Sequence, residues 1–448
     1  MAMSLASITN GTCPRVSLIG GLLRGNCRLE DPTYMLKFLP SCSSAVVARY
    51  ISHFSIMLLT SVRLLLFPSI AVGVISAQSY KSDAELALST LQKWYNKTTG
   101  TYDTTGWWNS ANCITVLGDL AAADPSSTFN VSSLFANTWV AAQNYDFQMN
   151  KVVGPNFLPH SFYGSSPHGE APATTLSPTG FLNGYYDDEG WWALGWIQAY
   201  DVTKDTKYLE TAVTIFQDMK KGATTPCSVG TSGIWWDRNH TYVNAIANEL
   251  YLSVGSHLAN RMSNKQYYLD IALNQWAWFQ ESGMINSHNL INDGLQHCRN
   301  NGGTVWSYNQ GVILGALVEL NQASPNATYL ETAKTIAMAA ITNLSDSNNV
   351  LHDPCEPNCG ADGSQFKGIF MRNLQKLHVA APEAGFLKSI STNAASIWSR
   401  NRNSANELSV VWSGPFVSPA NASTQSSAMD ALVAAISFQI SLGNAIAS

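Results

Sequence analysis

Apolar residues recur along this chain at spacings of three and four, the period of a helix that buries one face. That spacing marks twelve helical segments, roughly 83–96, 109–123, 131–149, 187–202, 205–221, 242–262, 264–283, 306–322, 325–343, 365–379, 384–400 and 425–442. No alternating, strand-like stretch of comparable length competes with them. A repeat runs through the pattern. Tyr208-Leu209-x-x-Ala212, Tyr268-Leu269-x-x-Ala272 and Tyr329-Leu330-x-x-Ala333 recur about every 60 residues, each opening an amphipathic helix after a short polar turn. The repeating unit is a helical hairpin, and six of them fill Asp83 to Gly443. The fold expected is all-α: six hairpins closing into an (α/α)6 toroid, with an open solenoid as the alternative.

The even-numbered helices are the richer in small and apolar residues, as in Trp191-Trp192-Ala193-Leu194-Gly195-Trp196 and Gly311-Val312-Ile313-Leu314-Gly315-Ala316. They suit an inner ring, where neighbours crowd a helix on every side. Their N-terminal ends carry unusual polar and aromatic groups: Trp107-Trp108-Asn109, Asp187-Asp188, Tyr242 to Asn244, Trp306 to Gln310, and Gln365 to Lys367. Long loops precede these ends, for example Gly154 to Tyr186 and Gly283 to Val305. Parallel inner helices would bring the clusters to one rim, where aromatics, amides and two carboxylates suit a carbohydrate. Each cluster also has a plainer reading: Trp107-Trp108 and Trp235-Trp236 as core aromatics, Asn244 and Asn248 as satisfied helix amides, Tyr308-Asn309-Gln310 as a helix start.

The centre of this pattern is Tyr185-Tyr186-Asp187-Asp188-Glu189-Gly190-Trp191-Trp192-Ala193-Leu194. Two adjacent carboxylates stand where a glycine-bearing loop becomes a helix. Like charges so close resist ionising together, which suits a site needing one charged and one protonated carboxyl. The plainer reading makes Asp187 an N-cap, with Asp188 and Glu189 complementing the helix dipole.

Composition narrows the partners. Only 12% of residues are charged and the net charge is −5, with no basic patch or charge run, so nucleic acid is an unsuitable partner. Residues 1–56 differ from the rest, with scattered Arg, three cysteines (Cys13, Cys27, Cys42) and no clear periodicity. From Met57 a single Arg63, an apolar run from Leu64 and a small residue at Ala77 read as a secretory signal over 57–77. Its core is too short and too interrupted by Pro68 to span a membrane. Translation is expected to start at Met57, leaving 1–56 an atypical extension or gene-model artefact and 78–448 a single domain.

Secretion agrees with sequons at Asn96, Asn130, Asn239, Asn326, Asn343 and Asn421, although a chain rich in Asn, Ser and Thr collects some by chance. Five cysteines follow the signal. Cys355 and Cys359 flank Pro357 and are close enough to bridge, Cys227 with Cys298 is the other expected pair, and Cys113 is left as a buried thiol. No second Cys/His pair at ligand spacing supports zinc, and neither metal nor cofactor is expected. The protein is expected to be a secreted or cell-wall monomer. The uncharged tail Ala431 to Ser448, after small residues Ser423 to Ala428, makes a GPI signal conceivable, but is read as the twelfth helix.

The Asp187-Asp188 stretch, Gly233-Ile234-Trp235-Trp236, Asn244-Ala245-Ile246-Ala247-Asn248-Glu249-Leu250, Tyr308-Asn309-Gln310-Gly311-Val312 and Phe366-Lys367-Gly368-Ile369-Phe370 together resemble glycoside hydrolase family 76. The family holds fungal and bacterial endo-α-1,6-mannanases and fungal cell-wall transglycosidases. The resemblance spans about 80–440 in order. It implies an (α/α)6 barrel and a retaining mechanism, with Asp187 the nucleophile and Asp188 the general acid/base. The family often has Lys before the Asn matching Asn244; here it is Val243, which puts one polar contact in doubt.

The implied activity is hydrolysis of internal α-1,6-mannosidic bonds of mannan. The rivals are a transglycosidase using the same site and a non-catalytic glycan-binding protein. Trp107, Trp108, Trp191, Trp192, Trp235 and Trp236 are candidates to stack sugars. Asn109 belongs to the same binding rim, and Asn244, Tyr308, Asn309, Gln310 and Lys367 are candidates to bind hydroxyls.

Overall fold

The structure, a computed structural model, describes residues 80–144, 148–163, 180–227 and 233–447. The expected extension over 1–56 and signal over 57–77 lie outside the described residues.

The described helices follow the periodic pattern. They are α1 (80–91), α2 (Trp107–Ala123), α3 (Val131–Ala141), α4 (Tyr186–Thr203), α5 (Thr206–Met219), α6 (Ala245–Arg261), α7 (Lys265–Glu281), α8 (Ser307–Ala323), α9 (Ala327–Asn343), the single turn α10 (Gly360–Gly363), α11 (Phe366–Ala380), α12 (Ala384–Arg400) and α13 (Ala422–Ala447). Contacts run from α2 to α4, α6, α8, α11 and α13, and from α13 back to α2. Six inner helices therefore form a closed ring, and the open solenoid is excluded.

Ring position explains composition. In α6 every residue from Ala245 to Ala259 is buried, which calls for small and apolar side chains on all faces. Close crossings need glycine. A Cβ on Gly311 of α8 would lie 2.6 Å from the Phe370 Cα of α11, and one on Gly368 of α11 would lie 2.6 Å from the Ser427 Cα of α13. Outer helices bury one stripe only. In the repeats Tyr208, Leu209 and Ala212 of α5, Tyr268, Leu269 and Ala272 of α7, and Tyr329 and Ala333 of α9 face the ring. The 60-residue repeat is thus the inward stripe of successive outer helices.

A second repeated device ties loops to inner helices. The Gln310 amide of α8 accepts the Ile291 N–H at 2.8 Å and donates to the Ile291 carbonyl at 2.9 Å. Asn248 of α6 does the same for Ile234, and Gln425 of α13 accepts the Leu408 N–H at 2.8 Å. Each amide satisfies backbone groups that burial would otherwise leave unpaired.

The structure departs from the helical pattern in two places. The segment expected as helix over 83–96 ends at residue 91 and gives way to a short strand at Tyr95–Asn96. The segment expected as helix to residue 149 ends at Ala141, and an antiparallel hairpin follows: β3 (Gln148–Val153) and β4 (Pro159–Tyr163), with Val153 opposite Pro159. Gly154-Pro155-Asn156 turns the chain, and Val152-Val153 and Phe162-Tyr163 favour extended backbone. Among the described residues the remaining strands are short: β1 (Tyr95–Asn96) with β2 (Thr101–Tyr102), and β5 (Val243–Asn244), β6 (Gly294–Gln296) and β7 (Arg299–Asn300) in one small sheet.

The expected disulfides are present as Cys227–Cys298 and Cys355–Cys359, and Cys113 is a buried free thiol.

Candidate active site

Five inner helices deliver their N-terminal ends to one place, as cross-contacts show. The Asn109 amide of α2 donates to the Gln365 side chain before α11 at 2.9 Å. Tyr308 of α8 stacks on Phe366 of α11 with ring centroids 3.8 Å apart. The Ala245 N–H opening α6 donates to the Asp293 carbonyl at 2.7 Å.

Asp187 and Asp188 sit in the first turn of α4, beneath this assembly. The N-cap is Tyr185, in extended conformation and without a side-chain capping bond, so neither aspartate caps the helix. What starts the helix is the Asn183-Gly184 turn. The Asn183 side-chain oxygen accepts the Tyr185 N–H at 2.8 Å, and Tyr185 bridges to Asp237. Relieved of capping, both carboxylates turn to one cation. Lys151 Nζ of β3 lies 2.9 Å from Asp187 Oδ2 and 2.6 Å from Asp188 Oδ1. All three side chains are buried, with relative exposures of 6% or less. The other oxygen of Asp188 accepts the Asn183 amide at 2.9 Å. Oδ1 of Asp187 has no hydrogen-bond partner among the described residues.

The surroundings set the charges. Burial is the largest influence on Asp188 and pushes it up to about 7; Lys151 opposes the rise and Asp187 adds to it. Burial works to lower Lys151, but Asp187 and Asp188 outweigh it and leave the ammonium more strongly protonated than usual. The rings of Trp108, Tyr185 and Trp236 surround that ammonium at 5.5, 5.6 and 5.7 Å, within cation–π range. A third carboxyl, Asp293, accepts the Tyr242 hydroxyl at 2.6 Å. Burial raises it to about 7, with Tyr242 opposing and Asp187 adding. Behind the pair, Glu189 accepts the Asn183 N–H at 3.1 Å and pairs with Arg238, which also grips Asp218. That clamp holds Asn183, and Asn183 holds Asp188.

The other expected site residues divide by their surroundings. Trp107 and Trp192 lie in the core, Trp107 donating its indole N–H to the Ala142 carbonyl and packing on Trp192. Trp108 donates to Asp362 at 2.8 Å, stacks on Trp191 and, with Trp236, belongs to the buried surround of Lys151. Trp235 is half-buried, stacks on His240 and lines a cavity of about 460 Å³ with Tyr242, Leu295 and Asn301. Asn244 caps α6 through the Ala247 N–H, and Gln310 is engaged with Ile291 on both sides. Lys367 contacts Glu356, donates to the Val410 carbonyl at 2.7 Å and lies over the Trp412 ring. Asn309 is fully buried with both ends of its amide unpartnered among the described residues.

Lys151, Asn183 and Asp293 complete the site without having been singled out from the sequence as its members, beside Tyr242 of the cluster ahead of α6. The strand pattern around Val152 and Phe162 could have revealed the hairpin, but nothing local marks Lys151. Among the described residues no group of three His, Cys, Asp or Glu side chains is placed to hold a metal.

A closed double ring of helices with two aspartates at one inner helix tip defines a class of glycan-processing protein, and comparison with known proteins agrees. Residues 169–442 match glycosyl hydrolase family 76, and the chain belongs to that family. It is similar to the mannan endo-1,6-alpha-mannosidase DCW1 of Candida albicans, 28% identical over 218 residues, covering 44% of this chain and 48% of that protein. It is also similar to the mannan endo-1,6-alpha-mannosidase DFG5 of Saccharomyces cerevisiae, 24% identical over 155 residues, 33% of this chain and 34% of that one. The match to the Candida protein therefore spans about half that relative's length.

Among solved structures, an inactive variant of the α-1,6-mannanase GH76A of Salegentibacter, in complex with α-1,6-mannotetraose, matches with a TM-score of 0.64 at 19% identity, over 80% of this chain and 98% of that one. Two consecutive aspartates are replaced by alanine in that variant. Dfg5 of Chaetomium thermophilum in complex with glucosamine matches with a TM-score of 0.64 at 18% identity, over 82% and 91%.

Proposed function

We propose that this protein is a retaining endo-glycosidase that hydrolyses internal α-1,6-mannosidic bonds of mannan through Asp187 and Asp188. One observation carries the reading. Two carboxylate oxygens lying 2.9 and 2.6 Å from one nitrogen can be no more than about 5.5 Å apart. Retaining glycosidases need their carboxyls at about 5 Å, whereas inverting ones need room for a water between them. In the first step Asp187 attacks the anomeric carbon, using the oxygen that has no partner among the described residues. Asp188 gives its proton to the departing sugar oxygen. In the second step Asp188 takes a proton from water, which attacks the same carbon and releases Asp187. Its elevated proton affinity suits a group that must act as acid and then base near neutrality. The cavity beside Trp235 and Tyr242 is a further place for sugar units of the chain.

The test is incubation with unbranched α-1,6-mannan while reducing ends are followed. Wild-type protein should release them, and Asp187→Asn and Asp188→Asn should each lower the rate at least a hundredfold. Activity surviving both changes would sink the assignment and favour a glycan-binding role.

A second reading has its own support. The pair is deeply buried, and a site that excludes water favours transfer of the glycosyl group to a sugar hydroxyl. Products longer than a defined mannooligosaccharide substrate would favour it over hydrolysis. Secretion to the cell exterior or wall fits the two disulfides and six sequon asparagines that are all at least partly exposed.

A further inference from the structure

Lys151 lies ahead of the matched family segment, 169–442, and the double-displacement scheme gives it no task. Yet its ammonium stands between the two reacting carboxylates. On the proposed glycosidase reading, on which this inference rests, the anomeric carbon must come within bonding approach of Asp187 and the glycosidic oxygen within hydrogen-bond reach of Asp188. Nζ takes Oδ1 of Asp188 at 2.6 Å and the Asn183 amide takes Oδ2 at 2.9 Å, so while the ammonium stays neither oxygen of Asp188 is open to the glycosidic oxygen, and the glycan can reach it only by displacing Nζ. Charge also opposes the ammonium staying, because the transition state is oxocarbenium-like and would be repelled by a cation in contact.

The backbone at Lys151 is anchored. Its N–H donates to the Tyr185 hydroxyl at 2.8 Å, and that hydroxyl donates to the Lys151 carbonyl at 3.2 Å. The side chain, with four methylenes, is the part that a ligand can displace. We infer that Lys151 is a positioning residue: its ammonium holds the place of the glycosidic bond in the free protein, and the glycan that displaces it brings a solvent proton onto Asp188.

The groups facing the pair make the sign clear. Among the described residues, Asp187 and Tyr185 are on its own segment, Asp293 approaches from just ahead of β6, Tyr308 from α8 and Asp362 from α10. Apart from Lys151, all are acids that are neutral or negative. Withdrawal of this cation therefore raises the proton affinity of Asp188, and entry of a neutral sugar, which excludes water, raises it further.

The test measures protons and does not depend on turnover. Calorimetric titration of Asp187→Asn protein with α-1,6-mannotriose, in buffers of different ionisation enthalpy, reads proton uptake per ligand bound. Uptake should approach one proton at pH 8 and be absent when Asp188→Asn is added. Binding with no uptake at pH 8 overturns the inference and leaves the glycan reading intact. No binding at all overturns the glycan reading itself.

A second readout uses otherwise wild-type protein. From pH 5 to pH 8 kcat/KM should fall about tenfold in wild type and in Lys151→Arg, but less than twofold in Lys151→Gln. A Lys151→Gln protein that keeps the wild-type profile contradicts the proposed role. The Arg variant and the proton uptake of Asp187→Asn protein, which keeps Lys151, remain decisive if the Gln variant folds poorly.

Discussion

Replacing Asp188 by Asn removes the proposed acid while keeping size and hydrogen-bonding capacity. A positioned general acid contributes about 10²–10⁴-fold. The structure says how much of that is visible at each pH. With Asp188 pushed up to about 7, nearly all wild-type molecules hold the proton at pH 5, about half at pH 7 and about a tenth at pH 8. The deficit of Asp188→Asn in kcat/KM on mannan, which reports the free protein, should therefore be full at pH 5 and about tenfold smaller at pH 8. Leaving-group chemistry gives an independent check. An aryl α-mannoside with an acidic phenol departs without a proton, so its first glycosylation burst should be nearly unaffected by Asp188→Asn. The assay is a stopped-flow burst with the aryl substrate beside reducing-end release from mannan. Equal losses on both substrates, or a deficit that does not change between pH 5 and pH 8, would refute the acid role.

Three further outcomes follow from the fold. Gly311→Ala should destabilise by about 1–3 kcal/mol in chemical denaturation, because the added methyl meets the backbone of Phe370 and not a flexible side chain; an unchanged midpoint would contradict the close α8–α11 crossing. Replacing Cys227 and Cys298 by Ala opens a loop of sequence separation 71 and should cost roughly 2–5 kcal/mol. Glu249 is fully buried with neither oxygen partnered among the described residues, and burial, with Asp293 adding, raises its proton affinity well above the usual carboxylate range. The folded state keeps a proton that the unfolded chain releases above about pH 4.3, so this residue's contribution is full below that pH and is lost as pH rises. The melting-temperature gain of Glu249→Gln over wild type should accordingly grow from pH 5 to pH 9, and a gain that shrinks with pH would contradict the burial account.

The helical frame was legible because every helix of a double ring must bury something. Tyr208, Tyr268 and Tyr329 betray the outer stripe, and the glycine and alanine runs of α6 and α8 betray the inner ring. Asp187 and Asp188 were legible because adjacent acids at an inner helix tip are costly unless used. The rest depends on long-range placement. Lys151 carries no local signature, and its role exists only because the β3–β4 hairpin brings it against α4, 36 residues on. Gln310 was expected to meet a sugar, but an amide at a helix start serves a loop backbone equally well, and where Ile291 lies decides between them. Trp107 and Trp192 were read as platforms for the same reason: composition offers flat rings without saying which of them the core encloses.

The account's central claim is that two neighbouring aspartates divide one glycosidic bond, one attacking and one protonating. The most direct measurement is covalent trapping with a fluorinated α-mannosyl fluoride, followed by intact mass and peptide mapping. The account predicts a mass gain of one sugar unit located on Asp187 and absent in Asp187→Asn. A sugar carried by any other residue, or turnover of the same reagent with inverted stereochemistry and no adduct, would contradict it.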